Sequence, residues 1–224
     1  EQQKEFRINQ WKDLIKDLPE ELIISEPQPS FGYEVDGRMF NIETIFYQTV
    51  IKELWKAGVI LRNNILEIGG GHGQLAYHLG QITGAALTFI DLPESLLLAK
   101  KYLKYHETVA GFYTPDETYQ IIGKFDLVIA CRALSGMSEK ELRGYANFVY
   151  DHLTPNGVFY VWAGDHSKYE KGGNVSEILA ERFTYQDVAL PSGEKIKGNL
   201  LPRLLDESKR KILNRFKAKK SEQT

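Results

Sequence analysis

The chain has 224 residues, of which 42% are hydrophobic and 26% charged, and its formal net charge is −2. This composition is that of an ordinary globular protein and excludes a disordered chain, a collagen-like repeat and a disulfide scaffold. No uncharged apolar run approaches the roughly 18–20 residues of a membrane-spanning helix, and residues 1–10 lack the apolar segment of a signal peptide. Because the single cysteine, Cys131, permits no internal disulfide, we expect a cytoplasmic protein without a transmembrane segment. A first residue of Glu is compatible with a piece of a longer protein.

The charge is unevenly distributed along the chain. Residues 209–220, KRKILNRFKAKK, contain seven of the 28 basic residues and no acidic one, so residues 1–208 carry 21 basic and 29 acidic residues. An acidic body argues against nucleic-acid binding, and no nucleic-acid partner is expected. We predict that residues 206–224 form a basic C-terminal helix or tail, with a solvated face rather than a contact for an anionic partner.

The N-terminal quarter of the sequence predicts helices. Residues 3–24 show apolar side chains at helical spacing, whereas the prolines and glycines of residues 25–40 indicate an irregular connector. Asn41 has the character of an N-cap, and it opens a helix that Gly58 ends. We therefore assign residues 1–58 to an α-helical N-terminal segment.

From Val59 the pattern alternates between apolar strands and helices. Strands are predicted within residues 63–68, 85–91, 109–114, 125–131 and 157–164, and helices within 74–82, 92–106 and 138–153, the last with Ser138 and Glu141 as a capping box. Continuous apolar strands separated by helices are typical of a parallel sheet covered on both faces. The sequence predicts a Rossmann-like, doubly wound α/β fold, with a mostly parallel sheet over residues 59–205.

A glycine-rich loop follows the first of these strands. Glu67 is followed by four glycines within residues 69–73, and Asp91 ends the next strand. In such sheets ligands bind beyond the carboxyl ends of the strands, and a carboxylate at Asp91 can accept both hydroxyls of a ribose. A dinucleotide fingerprint can be placed on Gly71, Gly73 and Ala76, but it leaves Glu67 unexplained. An acidic-x-Gly-x-Gly-x-Gly pattern fits Glu67 and the glycines directly.

The second pattern resembles class I S-adenosylmethionine-dependent methyltransferases. LEIGGGHG, FIDLP, FDLVIACRAL and LTPNGVFYVW resemble four elements of that family in the right order, over residues 60–165. The segments LEIGGGHGQLAYHL, IDLPESLLLAKKYL and LSGMSEKEL are more narrowly similar to the bacterial sugar O-methyltransferase family. His72 departs from the pattern, where a phenylalanine is expected.

The resemblance implies a set of residues that bind S-adenosylmethionine and its product S-adenosylhomocysteine. The glycine loop passes under the methionine and ribose, Asp91 binds the ribose diol, and Leu92 packs on the adenine face. Glu67 orients the loop or holds the methionine ammonium through water. The implied cofactor-binding residues are Glu67, Gly69, Gly70, Gly71, Gly73, Asp91, Leu92, Thr114, Cys131 and Arg132, with Thr114 near the adenine amine and the last two under the methionine.

Methyl transfer to a hydroxyl needs a proton acceptor near the methyl donor. His166, just after the predicted fifth strand, is the candidate base, and Asp165 is a candidate to orient it, to act as base or to bind a metal. His72 is a second candidate base. No His/Asp cluster has the spacing of a metal site, so we assign no metal ligands, and dependence on a divalent ion stays open.

The implied function is methylation of a hydroxyl on a sugar or glycan, in the synthesis of a bacterial surface polysaccharide or glycosylated metabolite. The segment 1–58 is then expected to cover the cofactor and acceptor site. Three alternatives remain: the same fold acting on another small molecule or a protein side chain, a non-catalytic methyltransferase-like partner domain, and a dinucleotide-dependent oxidoreductase. A partner domain or a homo-oligomer is compatible with each.

Overall fold

The computed structural model describes residues 2–27, 30–59, 64–162, 175–187 and 214–218. The chain divides into two compact units, Glu1–Leu61 and Arg62–Thr224. The N-terminal unit contains helix α1 (Gln2–Ile15), a 3-10 helix (Glu20–Leu22), strands β1 (Tyr33–Val35) and β2 (Arg38–Phe40), and helix α2 (Ile42–Lys56).

Helix α2 begins as the sequence predicted. The Asn41 side chain accepts hydrogen bonds from the backbone N–H groups of Glu43 and Thr44, at 2.8 and 3.0 Å, and the Asn41 N–H donates to the Thr44 hydroxyl at 2.9 Å. This reciprocal capping box satisfies backbone donors that the first helical turn leaves free. In the same unit, the buried Trp11 ring stacks on Phe40 with centroids 4.7 Å apart.

The connector predicted for residues 25–40 is wrong in part, because it contains a β-hairpin. Strands β1 and β2 pair antiparallel, with Val35 opposite Arg38. Asp36 and Gly37 form the turn between them with positive φ values of 52° and 76°. Positive φ at both central residues defines the turn type that matches the twist of two antiparallel strands, and Asp-Gly is one of its preferred sequences.

The C-terminal unit alternates strands and helices over residues 64–162, as predicted. Its elements are β3 (Asn64–Ile68), α3 (Gln74–Thr83), β4 (Ala86–Ile90), α4 (Pro93–Tyr105), β5 (Ala110–Tyr113), a 3-10 helix (Pro115–Gln120), β6 (Phe125–Cys131), a short 3-10 turn (Leu134–Gly136), α5 (Glu139–His152) and β7 (Leu153–Trp162). Residues 155–157, Pro-Asn-Gly, lie inside β7 as an irregularity. The register moves from Phe125 opposite Leu153 to Leu127 opposite Val158.

Among the described residues, a single seven-stranded sheet crosses this unit in the order β5-β4-β3-β6-β7-β9-β8. The strands from β5 to β7 are parallel. The chain runs outward from β3 to β4 and β5, and then returns to β6 on the other side of β3. Strand order therefore reverses between β3 and β6, and the predicted doubly wound fold is confirmed. A ligand site is expected where these two strands end.

The remaining described elements are α6 (Val175–Ala180), β8 (Phe183–Asp187) and β9 (Asn214–Ala218). Strand β9 lies between β7 and β8 and pairs antiparallel with both. The helix or tail predicted for residues 206–224 is therefore wrong at 214–218, because β7 and β8 each supply a hydrogen-bonding edge to this segment. No helix in the described part of the chain is long and apolar enough to cross a membrane.

Candidate functional site

The glycine loop leaves the carboxyl end of β3 in a conformation that requires glycine. Gly69 and Gly71 have φ values of 70° and 61°, in the left-handed region that other residues rarely adopt. A Cβ on Gly69 would lie 2.3 Å from the Ala133 Cβ, which is closer than two side-chain carbon atoms can approach. A Cβ on Gly71 would meet nothing within 4 Å. The loop is therefore in close contact with the segment after β6 at Gly69 and open to a ligand at Gly71.

Asp91 ties the end of β4 to this loop. One carboxylate oxygen accepts the Gly71 N–H at 2.8 Å, and the other accepts the Leu92 N–H at 2.7 Å. A carboxylate oxygen has a second acceptor position, so both oxygens can still accept a hydroxyl proton. This geometry suits the diol-binding role that the resemblance implied.

Glu67 lies under the loop in a different environment. It is 4% exposed, and its Oε2 atom has no hydrogen-bond partner among the described residues. Burial raises the pKa of Glu67 to about 8; the negative charge of Asp91 adds to the rise, and a hydrogen bond from the Ala76 backbone opposes it. The side chain is therefore largely protonated at neutral pH. A Cβ on Gly70 would contact this carboxyl and the Phe89 ring, at 2.9 and 2.4 Å, so Glu67 supports the loop from below.

A cavity of about 690 Å³ opens at this point of the sheet. It falls within the usual size range of small-molecule sites. Four of the predicted residues line it: Gly69, Gly71, Asp91 and Leu92. Leu92 is 60% exposed, which leaves its side chain free to pack on a flat ring.

Other predicted residues lie near the cavity without lining it. The Thr114 backbone N–H and hydroxyl both donate to the Glu117 carboxylate, at 2.8 and 2.9 Å, and the lining is supplied by Pro115 and Thr118. Gly73 begins α3, behind the loop. The His72 ring packs edge-on against Tyr102, at 5.2 Å between centroids.

Strand β6 ends at the half-buried Cys131, opposite Trp162 of β7. Arg132 has a φ of 60° and donates its backbone N–H to the Trp162 carbonyl at 2.6 Å. This left-handed residue turns the chain so that Ala133, rather than Cys131 or Arg132, lines the cavity beside Gly69. A role for Cys131 and Arg132 under the methionine stays a prediction.

The predicted catalytic pair lies outside the described residues. His166 and Asp165 fall within 163–174, and the described chain stops at Trp162, the carboxyl end of β7. Within the part of the chain that the structure describes, no three His, Cys, Asp or Glu side chains come together in a way that could hold a metal ion.

The sequence interpretation missed one whole wall of the cavity, which α5 supplies. Its lining residues are Glu141, Gly144, Tyr145 and Phe148, joined by Gly136 and Met137 from the preceding turn. One feature of the sequence could have indicated this wall, because Gly144 stands in the middle of a predicted helix, where glycine is a poor helix former.

Comparison with known proteins agrees with this geometry. Residues 66–159, from within β3 to within β7, match the family model "Methyltransferase domain". The chain is thus similar to a methyltransferase domain over somewhat less than half of its length. The chain is also similar to rat (Rattus norvegicus) arsenite methyltransferase, with 32% identity over 81 residues, covering 33% of this chain and 22% of that protein. The chain thus matches about a fifth of the length of the rat protein.

Solved structures share the fold of this chain. The PH0226 protein from Pyrococcus horikoshii superposes with a TM-score of 0.56 and 17% identity, covering 77% of this chain and 91% of that one. The N-methyltransferase NodS from Bradyrhizobium japonicum gives 0.53 and 19%, covering 79% of this chain and 96% of that one. At these identities the likeness concerns the fold alone.

Proposed function

We propose that the protein is an S-adenosylmethionine-dependent methyltransferase. The observation that carries this proposal is the arrangement of the glycine loop and Asp91. Gly71, which has open space beside it, and the Asp91 carboxylate both line the cavity next to the point where the strand order reverses. The match of residues 66–159 to a methyltransferase-domain family supports the same activity.

The residues present fit this cofactor. Gly71 leaves space above the loop, and Asp91 keeps an acceptor position on each oxygen for a diol. The buried Glu67 has one oxygen atom without a hydrogen-bond partner among the described residues, which a hydrated group can satisfy. When bound, S-adenosylmethionine supplies a methyl group on a sulfonium, already activated for displacement.

The protein's own contribution is then to bind, orient and accept a proton. Asp91 would hold the ribose, Leu92 would cover the base, and the loop segment at Gly69 and Ala133 would border the methionine. We assign the proton acceptor to His166, with Asp165 orienting its ring, because the two residues follow β7 directly in sequence. An acceptor hydroxyl is too weakly acidic to ionise alone, so a positioned base is required.

For the acceptor we propose a hydroxyl of a sugar or glycan, in a cytoplasmic step of surface-polysaccharide or glycosylated-metabolite synthesis. The support is the similarity of the glycine loop, the IDLPESLLLAKKYL segment and the LSGMSEKEL segment to bacterial sugar O-methyltransferases. A second candidate is a small inorganic or nitrogen-containing acceptor. The 32% identity to arsenite methyltransferase over 81 residues favours including it.

The test has two stages. Isothermal titration calorimetry should show that the purified protein binds S-adenosylhomocysteine and not NADH; NADH binding alone would point to an oxidoreductase. Methyl-labelled S-adenosylmethionine should then be incubated with nucleotide sugars, glycan termini, arsenite and small amines. Label on a sugar supports the proposed acceptor, and label on arsenite or an amine replaces it. Cofactor binding without label on any of these acceptors would favour a non-catalytic domain.

A further inference from the structure

Two residues of the glycine loop, His72 and Gly73, do not line the cavity and contact α4 instead. A Cβ at Gly73 would lie 3.2 Å from the Leu103 Cγ and 3.6 Å from the Ala99 Cβ. The ring of His72 lies edge-on to the ring of Tyr102, with centroids 5.2 Å apart. Tyr102 and Leu103 follow Ala99 by three and four residues, so the three side chains share one face of α4. This face of α4 therefore supports the part of the loop that does not line the cavity.

His72 carries the only side chain in residues 69–73, because the other four residues are glycines. Its Nε2 atom lies 3.2 Å from the Gln74 Oε1, and the imidazole is the donor because an amide oxygen only accepts hydrogen bonds. The residue is exposed, so the position of its ring depends on the contacts with Gln74 and Tyr102 rather than on burial. Glycine gives a chain many alternative conformations. His72 is therefore the point at which a side chain can fix this loop.

The Tyr102 ring is itself held by other aromatic rings. The centroid of the His106 ring lies 4.6 Å from it, and that of the Tyr77 ring of α3 lies 6.1 Å from it. Tyr77 and His106 also contact each other, at 4.9 Å. Edge-on contacts between rings at such distances are favoured over other arrangements. The His72 ring therefore contacts a cluster that joins α3 to α4.

The part of the loop that contacts α4 is directly connected to the part that lines the cavity. Gly71 precedes His72, and its N–H donates to the Asp91 carboxylate at 2.8 Å. The Gly73 N–H donates to the Gly70 carbonyl at 3.1 Å, which closes a turn around Gly71 and His72. A shift of His72 therefore moves the N–H that Asp91 accepts.

We propose that His72 and Tyr102 are positioning residues for the cofactor: their ring contact holds the glycine loop in the conformation that presents Gly71 and Asp91 to the ligand. Both act through the loop backbone, because neither side chain lines the cavity. The part of this assignment that concerns the ligand rests on the proposed S-adenosylmethionine activity. The immobilised loop is a property of the ligand-free protein and can be measured without a ligand.

Paired variants separate the ring contact from other effects. Tyr102→Leu removes the ring and keeps a good helix former in α4, whereas Tyr102→Phe keeps the ring and is the conservative rescue. His72→Ala removes the ring from an exposed position, where truncation leaves the fold intact. His72→Phe restores a ring without the hydrogen bond to Gln74. The control is Tyr105→Leu on the same helix, because Tyr105 is 71% exposed and its ring contacts His106 at 4.9 Å.

Two measurements report on the loop independently. Hydrogen exchange followed by mass spectrometry shows how well the backbone amides of residues 69–76 are protected in the ligand-free protein. Isothermal titration calorimetry gives the affinity for S-adenosylhomocysteine, which falls in proportion to the fraction of protein with a competent loop. Thermal melting checks that each variant is folded.

We expect Tyr102→Leu and His72→Ala each to speed exchange in residues 69–76. Each should also weaken S-adenosylhomocysteine binding by about 2–10-fold, the range for one aromatic pair. The double variant should lose no more than the larger single loss, because both changes remove the same contact. Tyr102→Phe, His72→Phe and Tyr105→Leu should behave like wild type in both measurements.

Wild-type exchange and affinity in Tyr102→Leu or in His72→Ala would overturn the assignment. Faster exchange without a loss of affinity would also overturn it, because the contact would then not position the ligand. An equal loss in Tyr102→Phe, His72→Phe or Tyr105→Leu would show that the ring contact is not the cause. If the wild type does not bind S-adenosylhomocysteine, the proposed activity fails, and hydrogen exchange alone decides whether the rings hold the loop.

Discussion

Two carboxylates at the carboxyl edge of the sheet experience opposite environments. Asp91 accepts two backbone N–H groups and borders the cavity. Glu67 is buried and leaves one oxygen unpartnered among the described residues, so its neutral form is favoured. The charge of Asp91 reinforces this difference, because two like charges at close range cannot both be stabilised. One residue is thus suited to binding and the other to supporting the loop.

For Asp91 we predict a large binding defect. Asp91→Ala removes hydrogen bonds from two ribose hydroxyls to a charged acceptor, which should weaken S-adenosylhomocysteine binding by about 2–4 kcal/mol, allowing for partial compensation. Calorimetry measures the loss. The control is Asp126→Ala at the amino end of β6, where the carboxylate accepts the Asn64 N–H at 3.2 Å. That variant should keep wild-type affinity for S-adenosylhomocysteine. Equal affinities for wild type and Asp91→Ala would exclude the diol site.

For Glu67 we predict a pH-dependent stability. The folded protein holds this proton up to about pH 8, whereas the unfolded chain releases it near 4.5. The group's contribution to stability is therefore fully present below about pH 4.5 and is lost as the pH rises towards 8, at up to about 1.4 kcal/mol per pH unit. Glu67→Gln should remove this slope. Urea unfolding at several pH values tests it, and a constant difference between wild type and variant across that range would contradict the prediction.

For His166 we predict a defect in turnover alone. If it accepts the proton, His166→Ala should lower kcat by about 10²–10⁴ with cofactor affinity nearly unchanged. Asp165→Ala should cost less if Asp165 orients the ring. The wild-type rate should also fall as acid protonates the imidazole. Activity within a few-fold of wild type would return the role to Asp165, His72 or a metal-bound water.

At the scale of elements, the glycine loop and the segment after β6 constrain each other at one residue. A Cβ on Gly69 would overlap Ala133, whereas one on Gly71 would enter open space, although both residues have positive φ. Backbone strain is therefore common to both positions and steric overlap is confined to one. This contrast separates the structural from the ligand-facing part of the loop.

We predict that Gly71→Ala lowers the free energy of unfolding by about 1–2 kcal/mol, the cost of a left-handed residue other than glycine. Gly69→Ala should lower it by at least about 1 kcal/mol more, because overpacking is added. Urea denaturation measures both. A smaller loss for Gly69→Ala than for Gly71→Ala would show that the segment at Ala133 moves aside freely.

The sequence predicts the local parts of this site and not the parts that tertiary packing brings in. Glu67, the glycines and Asp91 could be found because a strand, a tight turn and the next strand impose their requirements within a short stretch of chain. The α5 wall could not, because Tyr145 reaches the cavity only through the packing of its helix on the core. The β1–β2 hairpin carried a local signal, Asp36-Gly37 between alternating residues, that the prolines and glycines around it obscured.

At the scale of the whole molecule, β9 occupies an interior position in the sheet although it follows β8 in sequence. Each residue of an interior strand directs its N–H towards one neighbour or the other, so proline there removes a ladder hydrogen bond. Arg215 pairs with Tyr160 of β7 and Gln186 of β8. We predict that Arg215→Pro lowers the free energy of unfolding by about 1–3 kcal/mol more than Arg215→Ala. Equal losses in urea denaturation would show that 214–218 is not held between two strands.

The same strand order affects how the protein folds during its synthesis. A ribosome releases β7 and β8 before the strand that separates them has been translated, so these two cannot reach their final spacing until β9 arrives. During that interval β7 exposes an unpaired edge, which other nascent chains can join. Closing the sheet requires a contact between distant parts of the chain, and such contacts form slowly. We expect the yield of folded protein to depend on synthesis rate and on chaperones that shield an open edge.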